Sequence, residues 1–144
     1  MNRIIRSLRS NYNNLENSKH ILHSYNSNDW KKYVNYYKET YMKNLIYKDK
    51  NIEMLLLCWL PGQQSKIHNH PKNGCLMKIL QGNIKEITYD QYNGKILTKN
   101  LCPTNYVGYI DDSKCVHKMI NNTENKCVTL HIYSPPNFIP TYLK

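Results

Sequence analysis

Apolar residues recur along the 144-residue chain with two different periods, and the change falls near Tyr41. Over residues 4–22, Ile5, Leu8, Tyr12 and Leu15 return every three or four positions, the spacing of one helix face. Interspersed asparagines are weak helix formers, so this stretch predicts one helix or two short ones. Asn28 or Asp29 is placed to cap a further helix with Trp30, Tyr33, Val34 and Tyr37 on one face, a stripe suited to packing on a sheet. Beyond Tyr41 the runs shorten. Asn44–Tyr47 predicts a short strand, and Ile52–Trp59 is so continuously apolar that both its faces should be buried. Further strands are predicted at Lys66–His70, Cys75–Leu80, Asn83–Tyr89, Lys95–Asn100, Tyr106–Ile110, Val116–Ile120 and Lys126–Tyr133. Turn residues separate them: Pro61-Gly62, Asn93-Gly94 with its hairpin signature, Asp111-Asp112-Ser113 and the polar run Asn121–Asn125. Many short strands with such punctuation indicate a sandwich or barrel, so the expectation is a mainly β fold behind an N-terminal helical cap. No repeat or second domain is visible. The chain reads as one domain: a cap over about 1–40, a barrel over about 41–136 and an extended tail over 137–144, the end of a Pro-rich run that starts at Ser134.

Composition narrows the function. The formal charge of +10 suggests an anionic partner, yet the lysines are scattered, no block of like charge occurs and no nucleic-acid motif is present. The charge favours small anions instead. No apolar run is long enough to cross a bilayer, and the basic start Met1-Asn-Arg-Ile-Ile-Arg6 is followed by polar residues rather than the apolar core of a secretion signal. A cytoplasmic enzyme or binder of a small ligand, acting as a monomer, is the expectation. Five cysteines without a Cys-x-x-Cys pair argue against a disulfide framework; most read as small buried hydrophobes.

The candidate chemistry lies between Gly62 and Gly82. His68 and His70 stand two apart, so in a strand both rings reach one point, and neutral imidazole is the commonest metal ligand. The spacing Gly62, five residues, His68-x-His70, four residues, Cys75, six residues, Gly82 resembles the first motif of the cupin family, with Cys75 where Glu is usual. A third imidazole should come from a neighbouring strand. His117 fits, because it follows the Asp-Asp-Ser turn and has Asn121 four residues on, similar to the second cupin motif, although Asp112 and Lys114 replace its usual Pro and Gly. Three neutral histidines without a carboxylate leave a divalent metal its full charge and favour an anionic ligand, with a thiolate suited to ferrous iron. His20 and His23 have no such pattern and read as surface residues.

The set Leu57-Cys-Trp59, Ile67-His-Asn-His70, Cys75, Leu80-Gln-Gly82, His117 and Leu130-His-Ile-Tyr-Ser-Pro-Pro136 resembles cysteine dioxygenase, a non-haem iron cupin, over about residues 25–137. The resemblance implies a cupin fold (a double-stranded β-helix) and Fe(2+) held by His68, His70 and His117. It implies a thioether cross-link between Cys75 and Tyr133, with His131 hydrogen-bonded to that tyrosine and Thr129 where the family commonly has Ser. Tyr41 would line the substrate pocket. Lys43 occupies the place of the arginine that clamps the substrate carboxylate, and offers a point charge where the family has a planar fork. The implied reaction joins a small thiol with dioxygen to give a sulfinic acid. The alternatives are another thiol substrate such as 3-mercaptopropionate and a non-catalytic metal-binding cupin.

Overall fold

The computed structural model describes residues 1–113 and 115–142. Lys114 and the last two residues of the expected tail, Leu143 and Lys144, lie outside the described residues.

The N-terminal periodicity becomes two helices, α1 (Asn2–Ser10) and α2 (Lys19–His23), linked by two 3-10 turns. Ile4 and Leu8 of α1 and Ile21 and Leu22 of α2 are buried, while His20 and His23 are exposed as expected. The helix expected from Asn28 is a correction: only a 3-10 turn, Asp29–Tyr33, forms, and Val34 is already extended. Asn28 makes no side-chain capping bond, and the Asp29 carboxylate is engaged by the Met1 amino group and the Tyr25 hydroxyl. Trp30 alone of the aromatic stripe is fully committed to the core.

Among the described residues eight strands follow: β1 (Met42–Lys48), β2 (Glu53–Trp59), β3 (Cys75–Gln81), β4 (Ile84–Tyr89), β5 (Ile96–Cys102), β6 (Val107–Ile110), β7 (Val116–Ile120) and β8 (Cys127–Tyr133). They form a five-stranded sheet, β1-β2-β8-β3-β6, and a three-stranded sheet, β5-β4-β7, with every pairing antiparallel. The hairpin signalled by Asn93-Gly94 joins β4 to β5, but Asp90 organises it, accepting the Tyr92 and Asn93 N–H groups while Gly94 takes a φ of 72°. The Ser134–Pro135 peptide is cis.

Alternation along the central strands sorts side chains between two cores. Val128, Leu130 and Ile132 of β8 join Met54, Leu56 and Leu76 beneath the helical cap, with Ile4, Leu8, Leu22 and Trp30 above. A fully buried leucine among them contributes roughly 2–3 kcal/mol of transfer free energy. Lys78 of β3 faces the cap too. It is 3% exposed, and its ammonium donates to the Leu22 and Tyr25 carbonyls at the end of α2 (2.8 and 2.5 Å), which satisfies the helix terminus. The opposite face carries Leu57, Trp59, Met77, Ile79, Ile84 and Met119 into the space between the sheets, and there the candidate site lies.

One strand expectation fails. Residues 66–70 form no strand; the segment is held by isolated bridges, His68 to His117 on one side and His68 to Tyr142 on the other. Pro71 follows at once and has no N–H to extend a ladder.

Candidate metal centre

Three elements bring the histidines together. The bridged segment presents His68 and His70, and β7 presents His117 across the His68–His117 bridge, whose backbone bonds are 2.9 and 3.1 Å. The ring centroids lie 4.3–5.0 Å apart, and one nitrogen from each ring fits within a 4.8 Å span. The two rings therefore still converge without the strand, because the backbone bonds at His68 hold the segment beside β7.

The outer nitrogens fix two tautomers. His68 Nδ1 lies 2.7 Å from the Lys66 carbonyl, and His117 Nδ1 lies 2.8 Å from a Glu86 carboxylate oxygen. Both partners accept only, so each Nδ1 carries its proton and each Nε2 turns a bare lone pair inward. His70 Nε2 stands 2.9 Å from His117 Nε2, and His70 Nδ1 is buried with no partner among the described residues. Burial, and then the neighbouring His117, push His68 down to about 4; the same two causes, followed by His68, hold His70 far below the usual imidazole range. Neutral, converging lone pairs are what a divalent cation binds, so the donor set fits a metal. Glu86 was not singled out in the sequence. Its readable signal was position: Ile84-Lys-Glu86 puts the carboxylate on the same strand face as a core isoleucine. It serves the outer nitrogen of His117 and does not join the inner cluster, which among the described residues consists of the three histidines.

The other residues singled out in the sequence line the same space. Cys75 and Tyr133 are direct partners in the β3–β8 register, and thiol and phenol interact. Burial raises both groups above their ordinary values, so both keep their protons at neutral pH. His131, two residues before Tyr133 and on the same face, places Nδ1 3.4 Å from the Tyr133 hydroxyl and 3.8 Å from the Cys75 sulfur. Burial first, then His117, push its imidazole down to about 3. Its Nε2 lies 2.8 Å from the Thr129 hydroxyl. Tyr41 and Lys43 of β1 open onto the pocket, and the Lys43 ammonium sits 5.8 Å from the Tyr41 ring centroid. That ammonium is near enough to disfavour protonation of His68 and His131. The tail also contributes. Phe138, Pro140 and Tyr142 line the pocket, and the Thr141 N–H donates to the Asn69 side chain at 2.7 Å, beside the ligand-bearing segment.

Three imidazoles converging between two antiparallel sheets form a cluster that could hold a metal ion in a cupin fold. The fold matches solved double-stranded β-helix proteins: a Klebsiella pneumoniae protein with such a domain (TM-score 0.64, 16% identity, 84% of this chain and 97% of that one) and Bacillus subtilis oxalate decarboxylase (TM-score 0.62, 18% identity, 74% and 29%). The chain belongs to the cysteine dioxygenase type I family, whose model matches residues 1–141. Cysteine dioxygenase type 1 of Danio rerio is 32% identical over 133 residues, and that of Rattus norvegicus 33% over 132, each covering 85% of this chain. The chain spans 66% of the length of these relatives, just under two thirds. Among the described residues, no helix is long and apolar enough to cross a membrane.

Proposed function

We propose that this protein is an iron-dependent thiol dioxygenase that converts L-cysteine and dioxygen to cysteine sulfinic acid. One observation carries the reading: three imidazoles converge, with no carboxylate among them in the described residues, beside a thiol and a phenol paired across β3 and β8. His68, His70 and His117 are the residues that would hold Fe(2+). Ferrous iron, when bound, supplies the redox chemistry that lets dioxygen react with a thiolate. The balance closes without another reductant: sulfur gives up four electrons, dioxygen takes four, and both oxygen atoms end on the sulfinate.

The side chains bind and orient. Lys43 attracts the substrate carboxylate as a point charge. Leu55, Leu57 and the tail residues Phe138 and Tyr142 make the pocket wall and limit access of water. Tyr133 keeps its proton and offers it as a hydrogen-bond donor to the bound thiol or its oxygens. Family resemblance adds a cross-link between the Cys75 sulfur and the Tyr133 ring, and the register supports it. In that step an S–H and a ring C–H bond break, one S–C bond forms, and the electrons and protons pass to dioxygen. The cross-link would hold the phenol in one orientation.

Lys43 favours a second reading within the class, because it matches neither an arginine clamp nor a neutral residue: the substrate could be another small thiol acid such as 3-mercaptopropionate. Oxygen uptake by the iron-loaded protein with cysteine, cysteamine and 3-mercaptopropionate in parallel separates the readings. The highest kcat/KM with cysteine supports the first and with 3-mercaptopropionate the second. No uptake with any thiol would leave a non-catalytic metal-binding cupin.

A further inference from the structure

Trp59 closes β2 and is fully buried, yet the reaction as described assigns it nothing. Its indole Nε1–H donates to the Thr129 hydroxyl oxygen at 3.0 Å. Thr129 is 0% exposed, and the same oxygen lies 2.8 Å from His131 Nε2. Indole can only donate, so the Thr129 oxygen is the acceptor of that bond. A hydroxyl has one proton, and the indole occupies one side of this one. Among the described residues, the remaining partner within hydrogen-bond reach is His131 Nε2. The hydroxyl proton therefore points there, and Nε2 accepts. A neutral imidazole that accepts at Nε2 carries its proton at Nδ1, the nitrogen that faces Tyr133 and Cys75. Tyr133 then accepts from His131, and its own proton is turned away from the relay.

We infer that Trp59 is a positioning residue: acting through Thr129, it holds His131 as the Nδ1–H tautomer and so keeps the Tyr133 hydroxyl proton off the imidazole. The direction is set by the donor-only end of the chain, and each bond polarises the next. It opposes the preference of free imidazole in water, which is for the Nε2–H form. The same indole stacks on Tyr41 at a centroid distance of 4.3 Å and 14° between planes, so the pocket wall and the relay share one anchor. The consequence for turnover rests on the dioxygenase reading; the tautomer does not.

The test uses the full chain with zinc as a diamagnetic metal and nitrogen-15-labelled histidine. Nitrogen chemical shifts of His131 should report the Nδ1–H tautomer. In Trp59→Phe, which keeps a ring for Tyr41 to stack on, the Nε2–H form should appear. With iron, kcat for the best thiol should fall about five-fold, the worth of one net hydrogen bond, with little change in KM. Combining Trp59→Phe with Thr129→Val should cost no more than Thr129→Val alone, since the indole acts through that hydroxyl. A wild-type His131 in the Nε2–H form overturns the inference even if no variant folds. So does a tautomer unmoved by Trp59→Phe, or a double variant whose losses multiply. If no thiol is oxidised while the tautomer still responds to Trp59, the dioxygenase reading fails and the relay stands.

Discussion

At the scale of single residues, the site rests on donors and acceptors that have only one role to play. The Lys66 carbonyl and the Glu86 carboxylate can only accept, and they leave two imidazole lone pairs facing inward. Lys43 stands where the resemblance leads one to expect an arginine, and its worth is measurable. Replacing it by Met removes a charge-assisted contact, so KM for carboxylate-bearing thiols should rise roughly 10-fold or more while cysteamine, which has no carboxylate, is used as before. Steady-state oxygen uptake reads this out, and an unchanged KM for every carboxylate thiol would remove Lys43 from the pocket chemistry. The histidines were legible because residue type and i, i+2 spacing carry their meaning locally. Glu86 was not, since its role depends on a partner 31 residues away in β7.

At the scale of elements, β8 does most of the positioning. Its alternate residues divide cleanly, with Val128, Leu130 and Ile132 under the cap and Thr129, His131 and Tyr133 toward the site. That alternation was readable from the sequence, and the β3–β8 register it supports sets Cys75 against Tyr133. A protein sample turned over with iron and substrate should therefore show an intact mass lower by about two hydrogens, the atoms lost when the sulfur bonds to the ring. An unchanged mass after many turnovers would remove the cross-link and leave the reaction in place. Two elements were misread. The strand expected at 66–70 fails because Pro71 cannot extend a ladder. The helix expected from Asn28 fails because Asp29 is drawn into tertiary contacts instead of capping.

At the scale of the molecule, a helical cap seals one face of the five-stranded sheet and the opposite face meets the three-stranded sheet to enclose the pocket. The barrel was legible from the number of short strands and their turns. The seating of the tail was not, because it depends on bonds between residues as distant as Asn69 and Thr141, 72 apart in sequence. A net charge of +10 over this frame favours the arrival of small anions at a pocket that itself offers Lys43. The most direct test of the account is to supply the iron-loaded protein with L-cysteine under oxygen-18 gas and analyse the product by mass spectrometry. The account predicts cysteine sulfinic acid with label in both sulfinate oxygens; a product labelled at one oxygen or none, or cystine with peroxide in its place, would contradict it.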